Sequence, residues 1–171
     1  MQHSDIIAAI RIEHRERNFA MEQRKRLRLS LLAFLRLVLG WRKDLPEKER
    51  NDIAKRAMAI AAGEDDPETE RWKDAVAASD AASGAFDKIE ADATKRMEAM
   101  AKQLPAWGAF GESVRGFGAR SLAVIVGEAG DLSEYATHSK LWKRMGLAVI
   151  DGKRQGGLGK ATSAETNASR R

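Results

Sequence analysis

Apolar residues recur at spacings of three and four along most of the chain, and strict alternation of the strand kind is nearly absent. Three long helices follow from that pattern. Ser4 suits an N-cap, and the helix it opens runs to about Leu39, where Gly40 is a stop signal. Its first part is highly charged, with apolar residues at Ile6, Ile7, Ile10, Ile12 and Phe19, whereas Leu27 to Leu39 is apolar almost all round. Such a change predicts a helix that starts on the surface and ends buried. Pro46, Glu47 and Glu49 open a second helix, which carries the stripe Ile53, Ala57, Ile60, Ala61 and ends at Gly63. Asp66, Pro67 and Glu68 start a third. The paired acids here invite a metal or acid–base reading, but their spacing suits a helix cap better.

The third helix is the longest. Trp72, Val76, Ser79, Ser83, Phe86, Ile89, Ala93, Met97, Met100 and Leu104 form a heptad-like seam. It is about 33 residues long, or roughly 50 Å. Ser79, Ser83 and Gly84 keep its middle small and suit close approach of another helix. The seam must pack on the two N-terminal helices, on a second copy, or on both, so a homodimer through this helix is one expectation.

Pro105 ends the seam. Trp107, Phe110 and Val114 mark a short helix leading to the hairpin Gly116-Phe117-Gly118, with Phe117 as a plug in the core below. Leu122, Ile125 and Val126 then share one face of a helix from Ala119 to Glu128, closed near Gly130. Asp131 to Glu134 reads as a capping box. Thr137 or Ser139 caps a last helix, with Leu141, Trp142 and Met145 inward and Lys140, Lys143 and Arg144 outward. Val149 and Ile150 with Asp151-Gly152 suit a strand and a hairpin turn. From Lys153 onward no apolar period remains. The expected fold is all-α: long antiparallel, coiled-coil-like helices over 1–104, a small helix-hairpin-helix domain over 105–157 and a flexible basic tail over 158–171.

The absence of cysteine from the sequence excludes disulfides and thiolate zinc sites and suits a cytoplasmic protein. No apolar signal-peptide core is present at the N-terminus. Leu27 to Leu39 is too short to span a bilayer and is interrupted by Arg28 and Arg36, so no membrane partner is expected. Net charge is +5, and its distribution is uneven: eight bases against two acids from His138 to the end, six acids against two bases from Glu64 to Asp74. A basic end beside a glycine hairpin is what a phosphate-binding surface shows, though a solvated surface looks the same.

His3, His14 and His138 lie on distant segments without metal-ligand spacing, and no nucleophile, base and orienting group form a recognisable set. No cofactor or metal is expected. The hairpin carries the candidate chemistry. Gly116 and Gly118 suit a tight turn, and the first N–H groups of the next helix, at Ala119, Arg120 and Ser121, have no intrahelical acceptor. With the helix dipole they suit a phosphate. Arg115, Arg120, Lys140, Lys143, Arg144, Lys153 and Arg154 would add positive charge. A plain interhelical turn is the other reading of the same residues.

Gly116-Phe117-Gly118, the helix through Ile125, Glu128 with Gly130-Asp131-Leu132, the Ser139-Lys140-Leu141 helix and Gly146-Leu147-Ala148 together resemble the C-terminal domain of the insertion-sequence 110/116/902 group of transposases. The resemblance covers about residues 70 to 157. It implies a helix-hairpin-helix that grips nucleic acid, double-stranded DNA first and RNA second. Two departures decide the expected activity. Residues 1 to 66 read as helices rather than as that group's ribonuclease-H-like catalytic domain, and Asp151-Gly152 stands where a Ser-Gly pair would carry the nucleophile. Arg115 also replaces the group's usual proline. The sequence therefore reads as a non-catalytic nucleic-acid-binding protein. A helical assembly protein using the 72–104 seam and a residual strand-transfer enzyme are the alternatives.

Overall fold

The computed structural model describes residues 2–150, 153 and 154. The expected Asp151-Gly152 turn and the tail over 158–171 lie outside the described residues. The described chain is all-helical apart from turns and two short strands. Helix α1 spans His3–Val38, α2 Glu47–Ala61 and α3 Thr69–Ala101. A π turn at Trp107–Gly111 precedes α4, Ala119–Ala129. A 3-10 turn at Leu132–Glu134 and α5, His138–Arg144, follow. Strands β1, Val149–Ile150, and β2, Lys153–Arg154, pair antiparallel, with Val149 opposite Arg154. Among the described residues no helix is long and apolar enough to cross a membrane.

The described residues form two compact units, residues 15–96 and residues 2–14 with those from 97 on. They part within α1 and α3, not at Pro105.

In the 15–96 unit, α1 and α3 run antiparallel. Glu16 pairs with Arg96 at 2.6 Å, Arg17 with Glu90 at 3.3 Å, and Arg24 with both Glu90 and Asp87. Phe19 meets Phe86 edge-on at 6.1 Å. The apolar core is Leu32, Leu35, Ala57, Ile60 and Ala61, with Leu31, Leu39, Trp72 and Val76 around it. Gly40 ends α1 as expected: its φ of +84° suits only glycine at low cost. The Trp41 N–H then reaches back to the Arg36 carbonyl at 2.9 Å. Asp66 is a cap, as its spacing implied. It accepts from the Glu68 N–H at 3.0 Å and takes a two-pronged contact from Arg56 at 3.0 and 3.1 Å. Arg56, then the Glu68 N–H, hold its carboxyl below the usual carboxylate range.

Two expectations for this unit are overturned. The second half of α1 is not buried all round: Leu32 and Leu35 are buried, but Leu29, Phe34, Leu37 and Val38 are exposed. Its apolar partners, α2 and the start of α3, line only one side. Nor do Ser79 and Ser83 admit a close helix. They line an open cleft of about 600 Å³ faced by Met21, Arg24, Lys25 and Arg28. Those long, mostly charged side chains hold α1 away from the small stretch of α3.

In the other unit, Ile6, Ile7 and Ile10 of α1 pack with Met97, Ala101 and Leu104 and with Leu122, Ala123 and Val126 of α4. One face of the start of α1, at Ile6, Ile7 and Ile10, is thus buried although a surface position was expected, because the apolar face of α4 returns to cover it, while His3, Ser4, Asp5, Arg11 and Ile12 stay exposed. The α3 seam is occupied within the chain in both units: Trp72 and Val76 pack on one core, Met97 and Leu104 in the other.

Candidate nucleic-acid interface

The hairpin is entered through a π turn rather than a regular helix, makes a tight reversal and leaves into α4, the second helix expected. The Glu112 N–H donates to the Trp107 carbonyl at 3.2 Å, the long reach of a π turn. Gly111 is needed there, because a Cβ at this position would overlap the Trp107 ring. The expected helix through Val114 is therefore a single wide turn. Next, the Phe117 N–H closes on the Val114 carbonyl at 3.0 Å. Arg115 and Gly116 are the two corner residues, and Gly116 has a φ of +85°. A positive φ at the second corner is the mark of a type II turn. Phe117 packs against the core below, as expected.

Gly118 is the N-cap of α4, in extended conformation at φ −89°. That backbone suits any residue, and a Cβ there would meet nothing within 4 Å. The backbone constraint thus sits at Gly116. Gly116→Val should lower the melting temperature in a thermal scan, whereas Gly118→Ala should leave it nearly unchanged.

Of the three N–H groups expected at the mouth of α4, that of Ser121 is spent on the Gly118 carbonyl at 2.9 Å. A short first turn of 3-10 type takes it. Ala119 and Arg120 keep theirs at the end of the helix. Gly116, Gly118, Arg115 and Arg120 are exposed; Ala119 is buried and Ser121 half-buried.

Lys140, Lys143 and Arg144 are exposed on α5, as expected. Thr137 is its cap, with its hydroxyl accepting from the Lys140 N–H at 3.4 Å. Asp131 caps the 3-10 turn through Ser133, whose hydroxyl and then backbone N–H hold the carboxyl below its usual range. Arg144 donates to the Glu128 carbonyl at 3.2 Å, and the Tyr135 hydroxyl donates to the Ala129 carbonyl at 2.7 Å. Both contacts lie at the C-terminal end of α4. The α5 cations and the hairpin therefore stand at opposite ends of an 11-residue helix, about 16 Å apart. They cannot hold one phosphate together, although the sequence placed them in one set. Lys153 and Arg154 lie on β2, and their side chains are outside the described residues.

One expected orientation is reversed. Trp142 does not face inward: it is 55% exposed, while Leu141 and Met145 are half-buried. A seven-residue helix covers only a narrow face, and those two residues fill it.

Among the described residues Arg115, Arg120, Lys140, Lys143 and Arg144 form no ion pair, and neither do exposed cations elsewhere such as Arg26, Arg28, Lys55 and Lys88; what sets the α5 stretch apart is that no acidic residue occurs from Tyr135 to Ile150. Among the described residues, too, no group of three or more His, Asp or Glu could hold a metal ion.

No family model, curated protein or solved structure matches this chain. The resemblance to insertion-sequence transposases therefore rests on the sequence motifs alone.

Proposed function

We propose that the protein binds nucleic acid through the phosphate backbone and performs no strand chemistry itself. The observation that carries this reading is the unspent charge, set apart on α5 by the absence of any acidic residue from Tyr135 to Ile150. Five exposed cations, Arg115, Arg120, Lys140, Lys143 and Arg144, have no carboxylate partner among the described residues and flank both ends of α4. A polyanion gains from such a surface by releasing its own counterions. The Ala119 and Arg120 N–H groups add a neutral phosphate contact beside Arg120. Contacts of this type position a strand and read little sequence. The resemblance to the C-terminal domain of insertion-sequence transposases supports the same ligand class. An electrophoretic shift assay tests the reading: labelled DNA or RNA should be retarded by the pure protein at low salt. A protein that retards neither would refute it.

A helical assembly protein is the second reading, favoured by a different surface from the one the seam suggested. Leu29, Phe34, Leu37 and Val38 of α1 and Met58 of α2 are exposed in the 15–96 unit. Light scattering with rising concentration distinguishes it, since self-association there should be abolished by Leu37→Glu.

A further inference from the structure

Among the described residues Trp142 is the exposed aromatic side chain of the basic region, and the largest of the apolar side chains left open there beside Leu147 and Val149. It is 55% exposed, whereas Trp41, Trp72 and Trp107 are half-buried. Trp72 is held by Phe34 at 5.2 Å and by the Arg71 guanidinium at 4.9 Å. Trp142 makes no comparable ring or cation contact among the described residues. At 3.6 residues per turn, Leu141 and Met145 share the packed face of α5. Trp142, Ser139, Lys143, Lys140 and Arg144 then follow one another round the open remainder. No acidic residue occurs from Tyr135 to Ile150.

An indole left in water forfeits the free energy its burial would bring, so a partner that covers it is favoured. The neighbouring cations, unopposed by acids, select an anionic partner. A seven-residue helix with one outward apolar side chain is poorly suited to lie in a membrane surface. We infer that Trp142 is a stacking platform for an unpaired base, so that the ligand is single-stranded DNA or RNA, or a single-stranded stretch. Bases within a duplex have both faces covered by their neighbours; only an unpaired base can offer a face to the indole. Lys143, beyond Ser139 and about 100° round the helix from Trp142, takes an adjoining phosphate. Every base has a π face, so the contact tolerates any sequence. This inference rests on the nucleic-acid reading and narrows it.

The test is fluorescence anisotropy with labelled oligo-dT, oligo-U and a duplex, each about 15 nucleotides long, within the usual site size of such surfaces. Trp142→Ala should weaken single-strand binding about tenfold, the loss typical of one stacked base. It should leave duplex binding and the salt dependence unchanged, because no charge is removed. Trp142→Phe keeps a stacking ring and should retain most of the affinity. Oligonucleotide should also quench part of the wild-type tryptophan emission, and that part should vanish in Trp142→Phe. Circular dichroism establishes that each variant is folded. Single-strand affinity unchanged in Trp142→Ala, or a loss equal on duplex and single strand, would overturn the inference while leaving phosphate binding intact. So would a wild-type dimer dissolved by Trp142→Ala with oligonucleotide affinity preserved. A wild type that binds no oligonucleotide would fail the nucleic-acid reading itself, and the platform with it.

Discussion

Gly127→Ala is expected to destabilise the fold, although alanine is the better helix former. Gly127 lies in α4 where that helix crosses His14 of α1, and a Cβ built there would stand 2.5 Å from the imidazole Cγ. His14 is only 4% exposed and shares a 3.0 Å contact with Glu128, so the ring cannot simply swing into solvent. Overpacking of this kind costs about 1–3 kcal/mol. The helix propensity gained on leaving glycine returns up to about 1 kcal/mol. The net loss should appear as a melting temperature lower by several degrees, at about 2–4 °C per kcal/mol for a chain of this size. His14→Ala removes the obstacle. The double variant should therefore melt above the value that adding the two single losses predicts, and simple additivity would show that the ring and the glycine do not compete for space.

The second large effect concerns charge. Lys140→Ala with Lys143→Ala, and separately Arg115→Ala with Arg120→Ala, should each weaken oligonucleotide binding. Each pair should flatten the salt dependence by about 0.7 log units per cation on a single strand. The two pairs lie at opposite ends of α4, about 16 Å apart, beyond the range at which substitutions usually couple. Their losses should therefore add when all four are changed. Arg144 is left in place because its contact with the Glu128 carbonyl also ties α5 to α4. A single pair that removes all binding would mean that only one end of α4 meets the strand.

Local chemistry was legible in the sequence wherever a short stretch decided the outcome. The stops at Gly40 and Gly63, the caps at Asp66 and Thr137, and the apolar faces of α2, α3 and α4 depend on residues within a turn or two. What could not be read was set by distant partners. Ile6, Ile7 and Ile10 resemble scattered apolar residues on a charged helix until α4, more than a hundred positions later, covers them. Leu29 and Leu37 belong to an apolar run, yet nothing among the described residues reaches the side they face. Ser79 and Ser83 invited a close helix, but the size of Arg24, Lys25 and Arg28 opposite decided against it. At the hairpin, glycine spacing identified the turn but not which glycine carries the positive φ; that is Gly116. The exposure of Trp142 has a faint signature in hindsight: in a seven-residue helix, Leu141 and Met145 already fill the inward face.

The central claim is that exposed, unspent cations bind a nucleic-acid backbone, and its most direct test is a salt titration of the wild-type protein with oligo-dT. Between about 50 and 200 mM salt, log affinity should fall linearly with log salt, with a slope of about −0.7 for each phosphate neutralised. The two cation groups at the ends of α4 require more than one such unit. Binding of oligo-dT and of a duplex both absent at the lowest salt, or binding that does not change as salt rises, would contradict the account.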